Sequence, residues 1–273
     1  MTAPYPHYKL TEDPLALVLC QVRFSRVQKM PDYIPEIQER LRKEGFPEDA
    51  SVQVGRIHWE MGKQPETTQV QHSEFRSKDG WWGIAINDDN LALFTTHYDR
   101  FNGFGERLGN ILRVINEVVD LSPGSVTRVG LRYIDVVVPK PGETWKLYLH
   151  PGLHGPDADA FPDSAPSMMQ EHSGRTNHGT ITVRISQNNQ GMVLPQGTLV
   201  KPMEFRQTFD PNQLLTLIDT DHFVEGKWDF DIASILETVD VLHQGSNTVF
   251  FNSLITKHAR MAWGAEDVAD RKR

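Results

Sequence analysis

The chain has 273 residues, of which 38% are hydrophobic and 23% are charged, and its mean hydropathy is −0.45. These values are typical of a folded globular protein and exclude a fibrous or largely disordered chain. The formal net charge of −8 argues against sequence-independent binding to phosphate backbones, which requires an excess of Lys and Arg. Nucleic acid is therefore not the expected partner, and a local basic groove stays open as the alternative.

The single cysteine, Cys20, lies at the end of the longest apolar run, residues 15–20. One cysteine forms no disulfide within the chain and supplies no thiolate cluster for a metal ion. The run is too short to span a bilayer, and the N-terminal residues show no basic segment followed by an apolar one. We therefore expect a cytoplasmic protein with no membrane span and a buried, structural thiol.

Periodic patterns in residues 1–123 predict strands and helices in the order β-α-β-β-β-β-α. In the run LALVLCQVRFS, the residues Cys20, Val22 and Phe24 alternate with polar ones, as in a half-buried strand. The predicted elements are a strand at 15–25, a helix at 32–45, a meander at 52–97 and a helix at 104–121. Apolar residues recur at helical spacing in the last of these and form a stripe wide enough to cover a sheet face.

After residue 123 the same order of elements begins again. We predict a strand at 125–138, a long irregular loop at 139–178, strands between 179 and 220, a helix from 232 that stops at Gly245, and a second helix capped by Ser246. The polar tail from residue 265 is expected to fray. The fold prediction is α+β: two related halves, 1–123 and 124–273, each an antiparallel sheet with helices on one face, packed as one compact unit.

The stretch RVGLRYIDVV at 128–137 carries the clearest candidate site. Strand periodicity places Arg128, Gly130 and Arg132 on one face and Tyr133 and Asp135 on the other. A glycine between two guanidinium groups leaves room for a carboxylate or phosphate. Similar phrases carry two more arginines, so the candidate ligand- or partner-binding residues are Arg23, Arg128, Arg132 and Arg184. The alternative is that these arginines pair with carboxylates on neighbouring strands.

The loop at 139–178 contains the densest group of His and Asp residues. His150 and His154 have the spacing of two metal ligands on one helical turn. Pro151 and Gly152 lie between them and oppose a helix, so a surface loop that binds no metal is the preferred interpretation. We therefore expect no metal and no other cofactor, with these two histidines as the weak candidates.

Three stretches together resemble a known group of proteins. PLALVLCQVRFS near the start, RVGLRYIDVV in the middle and FFNSLIT at 250–256 resemble the hallmarks of a sporadically distributed bacterial family of about 250 residues with no assigned function. The resemblance covers nearly the whole chain and brings no catalytic residues. It implies a lineage moved by horizontal transfer, a pattern seen in antiphage defence and toxin–antitoxin modules.

The leading hypothesis is a non-enzymatic protein-recognition component, in an antiphage-defence or toxin–antitoxin system, whose partner is another protein encoded nearby. No catalytic motif is evident, so the balance is against an enzyme without deciding the matter. Two alternatives stay open: a metal-dependent hydrolase or nuclease that uses the His/Asp-rich loop, and a binder of an anionic small ligand or nucleotide at the arginines. Association of identical chains is compatible with all three.

Overall fold

A computed structural model of the chain describes residues 8–58, 66–155, 168–188, 194, 203–210 and 214–267. Its strands are β1 Tyr8–Leu10, β2 Leu15–Phe24, β3 Glu48–Asp49, β4 Val52–His58, β5 Glu66–Arg76, β6 Trp82–Ile86, β7 Asn90–Thr95, β8 Ser125–Val137, β9 Met168–Thr176, β10 Gly179–Asn188, β11 Leu215–Asp229 and β12 Ala265–Asp267. Its α-helices are α1 Met30–Lys43, α2 Phe101–Val119, α3 Ile232–Val249 and α4 Lys257–Ala262. The predicted strand at 15–25 and the two predicted helices before residue 123 are thus confirmed.

Ten of these strands form one antiparallel sheet within the described part of the chain. Its order is β3-β5-β6-β7-β2-β8-β11-β10-β9, and β4 pairs with the first part of β5. The strands before and after residue 123 meet where β2 pairs with β8. The termini form a separate ribbon, in which β1 pairs with β12. The α+β class is confirmed, and the central position of β2 and β8 places their side chains in the middle of the molecule.

The helices cover one face of this sheet. Alternate residues of β2 and β8, including Cys20, Val22, Val129 and Leu131, are fully buried beneath α2 and α3, while α1 packs against α2. Burying each such side chain stabilises the fold by roughly 1.5–3 kcal/mol, which is why the period-two pattern determines the face. The thiol of Cys20 has its pKa raised to about 12 by burial, as expected for a structural cysteine.

A second core forms where the C-terminal part of the chain covers β10 and β11. Beyond α3 the chain makes a π-helical turn, Phe250–Leu254, and then α4. Both pack with the short 3₁₀ turns Trp145–Leu147 and Pro151–Leu153 against Val183 and Ile218. The two cores leave a gap between them at the end of α3, and this gap becomes important below.

The opposite face of the sheet is partly covered by residues 203–210. Met203 packs with Leu17 and Ile134, while Phe205 and Phe209 pack over the start of β11. These residues were part of a predicted run of strands and contain no strand. The arginines lie beside this covered region, on the same face.

Three further expectations for residues 124–273 need correction. Residues 168–176, assigned to the irregular loop, form β9, whose mostly exposed side chains lack the apolar alternation of a buried strand. Residues 265–267, expected to fray, pair with β1. Gly245 does not end α3, which continues to Val249. A glycine stands there for packing, because a Cβ at this position would lie 2.5 Å from the buried ring of His222.

Of the helices in the described ranges, none is both long enough and apolar enough to cross a membrane.

Candidate functional site

The four predicted arginines lie on the sheet face that the helices leave open. Arg23 on β2 is opposite Arg128 on β8, and Arg184 on β10 is opposite Asp219 on β11. Arg132 lies four residues along β8 from Arg128, on the same face. The structure thus brings the four side chains onto one surface, but with carboxylates between them.

Asp219 is the centre of the strongest of these contacts. Arg132 donates from Nε and Nη2 to its two carboxylate oxygens, at 2.7 Å each, and Nη1 of Arg184 lies 3.6 Å away. The Asp219 side chain is only 2% exposed. Arg184 also donates to Glu171 on the edge strand β9, at 2.6 Å. This bidentate, buried geometry is that of an ion pair that holds strands together.

Arg128 explains the glycine between the arginines. Its guanidinium donates to Asp221 at 2.9 Å and to Gln21 at 3.1 Å, and lies 4.5 Å from the centre of the Phe223 ring. To reach these partners it folds over Gly130, where a Cβ would lie 2.8 Å from the guanidinium carbon. The close approach predicted at this glycine is therefore made by the chain's own Arg128.

Arg23 is the most weakly held of the four. It is exposed, and its Nε donates to the amide oxygen of Gln21 at 3.1 Å. For Arg128, Arg132 and Arg184, the alternative of cross-strand carboxylate pairing describes what is seen. These three arginines are thus engaged by the sheet itself.

The two weak metal candidates do not converge. His150 is exposed, whereas Nε2 of His154 lies 2.9 Å from the carbonyl oxygen of Leu149 and its ring packs edge-on to Trp145. Among the described residues, no group of three or more His, Cys, Asp or Glu side chains is placed to hold a metal ion. The aspartates of the His/Asp-rich loop lie outside the described residues: Asp157, Asp159 and Asp163.

The other face of β8 borders a cavity of about 470 Å³ in the gap between the two cores. Its floor is formed by β8 and β11, and its walls by the residues before and at the start of α2 and by the end of α3. Its rim includes residues 10–11 and 13–15 and Arg206. The side chains that matter below are Asp13, Tyr98, Phe101, Tyr133, Asp135 and Thr220.

Two irregularities of the backbone shape this cavity. The pairing of β2 with β8 shifts register between Leu15 and Leu17, beside Asp135. At the end of α3, the π-helical turn puts Phe250 and Phe251 on the cavity wall. Bulges and π-helical turns are both over-represented at functional sites, because they direct side chains out of the regular pattern.

A chain of hydrogen bonds runs along one wall. Tyr133 Oη lies 2.7 Å from His243 Nδ1, His243 Nε2 lies 3.1 Å from Asn247, and the ring of Tyr98 packs edge-on to that of Tyr133, with ring centres 6.2 Å apart. The imidazole stacks on Phe101, with ring centres 4.1 Å apart. Burial raises the pKa of both tyrosines, so their hydroxyls remain protonated at neutral pH.

Asp135 and Thr220 stand out because they are buried without partners. Asp135 is 5% exposed, and its carboxyl has no hydrogen bond or ion pair with any described residue. Thr220 is 2% exposed, and its Oγ1 likewise has no hydrogen-bond partner in the described part of the chain. Burial, and then the nearby carboxyl of Asp13, raise the pKa of Asp135 well above its usual value. Buried polar groups are normally satisfied, so two such groups facing one cavity point to a ligand.

The arginine-centred prediction missed this site although it lies on the same strand. One signal was available: Asp135 follows Val129, Leu131 and Tyr133 on the face that alternation assigns to the core. An acidic residue at a core position of a strand is uncommon and indicates a specific environment. The contributions of Thr220 and His243 depend on tertiary packing and have no such signal.

No model of a known protein family matches the chain, and no curated protein matches it by sequence.

Proposed function

We propose that this protein is a non-enzymatic recognition component that binds a small molecule in the cavity between the sheet and the ends of α2 and α3. The observation that carries the proposal is the pair of unpartnered, buried polar side chains, Asp135 and Thr220, at the cavity floor. Leaving such groups without partners destabilises the folded state by about 1–3 kcal/mol each. A bound ligand that hydrogen-bonds to them offsets this cost.

The composition of the cavity supports the same proposal. Its volume of about 470 Å³ lies in the range of small-molecule sites, and its walls carry aromatic side chains with a few polar groups. The rings of Phe101 and His243 are fixed by stacking, Tyr133 is fixed by its hydrogen bond to His243, and Tyr98 packs edge-on against Tyr133. Walls that are already ordered lose little entropy on binding.

His243 is the group in this cavity best suited to acid–base chemistry, and its contacts favour recognition instead. Both ring nitrogens lie within hydrogen-bond distance of side chains, Nδ1 of Tyr133 and Nε2 of Asn247. Stacking on Phe101 fixes the ring as well. The ring is thus held as part of a wall, as recognition of a ligand requires.

The experiment is retention of a ligand from a mixture. The purified protein is incubated with a small-molecule extract of bacterial cells, separated by gel filtration and denatured, and the released compounds are identified by mass spectrometry. Asn247→Phe places an aromatic ring in the cavity, and Arg184→Gln is the matched control on the other sheet face. We expect a compound that is retained by the wild type and by Arg184→Gln and is lost from Asn247→Phe. Equal retention by all three, or by none, would contradict the proposal.

Binding of another protein is a second candidate function, favoured by the edge strand β9. Within the described residues β9 is the last strand of the sheet, and Met169 on it is 78% exposed. An exposed edge can accept a strand from a partner through backbone hydrogen bonds. The partner we propose is a protein encoded nearby, in a defence or toxin–antitoxin context and in the cytoplasm. Co-expression with the products of neighbouring genes should give a complex that Met169→Glu weakens.

We also propose that residues 1–123 and 124–273 arose as two related halves. In support, the first long strand of each segment pairs with the strand that directly precedes its long helix, β2 with β7 before α2 and β8 with β11 before α3. Superposition of β2, β6, β7 and α2 on β8, β10, β11 and α3 tests the relation. Elements that cannot be superposed in this order would contradict it. We likewise propose that the chain is related to the sporadically distributed bacterial family that its three sequence stretches resemble.

A further inference from the structure

We infer that the ligand of this cavity is a small organic amine, whose ammonium group pairs with the carboxylate of Asp135 while its apolar body lies against the aromatic walls. This inference rests on the proposed function and specifies its ligand class. It follows from the distribution of charge, aromatic rings and hydrogen-bond acceptors around the cavity.

The carboxyl at the cavity floor has no counter-charge in the described part of the chain, and its raised pKa means that it ionises readily only when a cation lies beside it. Asp13 lies 3.6 Å from Arg206 at the rim, and Asp99 and Arg100 are exposed at the mouth. Asp135, the deepest ionisable carboxyl, has no cation near it in the described part of the chain. A cationic ligand supplies the missing counter-charge, whereas an anionic ligand would face repulsion from Asp135.

The other groups at the floor fit an ammonium ion as well. An ammonium has three N–H donors and no acceptor. Thr220 lines the cavity and pairs in register with Tyr133, two residues from Asp135; its unpartnered Oγ1 has almost no exposed surface and can accept from the ammonium once the side chain rotates toward the cavity. A cation within about 6 Å of an aromatic face is also attracted by the ring. The aromatic walls are formed by Tyr98, Phe101, Tyr133, Phe250 and Phe251.

A neutral ligand with a carbonyl group is the chemical alternative, because protonated Asp135 could donate a hydrogen bond to it. The two alternatives respond to pH in opposite ways. An ammonium requires ionised Asp135, so amine affinity rises as the pH rises through the raised pKa of this carboxyl; affinity for a carbonyl falls over the same range. The other ionisable groups of the cavity are Asp13, Tyr98, Asp99, Arg100, Tyr133, Arg206 and His243.

The test uses three matched probes: phenethylamine, the neutral alcohol phenethyl alcohol and the acid 3-phenylpropionate. Their affinities are measured by isothermal titration calorimetry at about pH 6 and about pH 8, where an alkylamine remains charged. We expect the amine to bind most tightly, and more tightly at the higher pH. The isosteric Asp135→Asn should weaken the amine by about 10- to 150-fold, the range for a hydrogen bond to a charged group. Asp99→Asn at the exposed mouth should weaken it less than about fivefold.

The outcomes separate this inference from the proposed function. Tighter binding of the alcohol or the acid, lost in Asn247→Phe, would leave the cavity as a ligand site but overturn the amine. If no probe binds while the cavity retains a compound from the extract, a retained compound with an amino group supports the inference and one without it overturns the inference. If neither probes nor extract compounds bind, both fail. Thermal unfolding of each variant, together with the isosteric Thr220→Val as a second floor variant, separates loss of binding from loss of fold.

Discussion

The two faces of β8 treat charge in opposite ways. On the open face, Arg128 and Arg132 are matched by Asp221 and Asp219 from the neighbouring strand. On the helix side, Asp135 is buried without a counter-ion in the described part of the chain. Arginine–aspartate pairs can have the structural role of holding strands together. A buried carboxyl without a counter-ion lowers the stability of the folded state, and such a group persists where function requires it. The face with unsatisfied groups is therefore the better candidate for function, although the other carries more charge.

The largest expected effect is on the paired face, from Asp219→Ala. Removing this carboxylate leaves Arg132 partly buried without its partner, which typically costs about 3–5 kcal/mol. Glu171→Ala, which removes the exposed partner of Arg184, should cost below about 1 kcal/mol. Urea unfolding of both variants measures the difference. A loss below about 1 kcal/mol in the free energy of unfolding of Asp219→Ala would contradict the contrast between the two faces of β8, because the arginine face would then not be stabilised by its own carboxylates.

The next effect is a gain in stability from Asp135→Asn. The folded state raises the pKa of this carboxyl above its unfolded value of about 4, so the contribution of Asp135 to stability is fully present below about pH 4 and is lost as the pH rises through the raised pKa. The neutral amide removes this loss, and we expect about 1–3 kcal/mol of added stability at about pH 8. Urea unfolding from about pH 4 to about pH 8 should show the two proteins diverging as the pH rises. Parallel curves would contradict the assignment.

Gly130→Ala sharpens the comparison on the arginine face. The added Cβ would overlap the guanidinium of Arg128 and displace it from Asp221, at an expected cost of about 1–3 kcal/mol. Gly103 in the first turn of α2 is the matched control, since its Cβ position has no atom within 4 Å. Gly103→Ala should be neutral or stabilising by up to about 1 kcal/mol. Thermal midpoints distinguish them, and equal shifts would mean that the position of Arg128 does not depend on this glycine.

The smallest stability effect is expected for Thr220→Val. Replacing a hydroxyl that has no partner by a methyl group of similar shape should raise the free energy of unfolding by about 1 kcal/mol, the low end of the cost of an unsatisfied buried hydroxyl. The same substitution should weaken phenethylamine binding, because it removes an acceptor for the ammonium. Calorimetry beside urea unfolding gives both quantities. Unchanged affinity would remove Thr220 from the site.

The sequence predicted those elements whose apolar periodicity is strong. The strand at Leu15–Phe24, the helix at Phe101–Val119 and the strand at Ser125–Val137 follow patterns that burial in this fold requires. It could not predict that β11 lies beside β8, so the partners of the arginines were unknown. Strand β9 was missed because an exposed edge strand needs no alternation. The π-helical turn was hidden because Gly245 has the pattern of a helix end.

The site was only partly predictable for a similar reason. Alternation placed Tyr133 and Asp135 together on the face opposite the arginines, and a carboxylate at that core position was a usable signal. The cavity itself arises from a register shift and a π-helical turn, which bring Thr220, Phe250 and His243 to the same space. Such convergence depends on tertiary packing and leaves no local pattern in the chain.

Ligand retention by Asp135→Asn and Asp219→Ala, compared at a temperature at which both remain folded, tests the division of roles most directly. We predict that Asp135→Asn no longer retains the compound held by the wild type, although it is the more stable protein. Asp219→Ala should retain the compound despite its lower stability. The reverse result, with retention surviving the loss of Asp135 and failing with the loss of Asp219, would assign recognition to the arginine face and contradict the account.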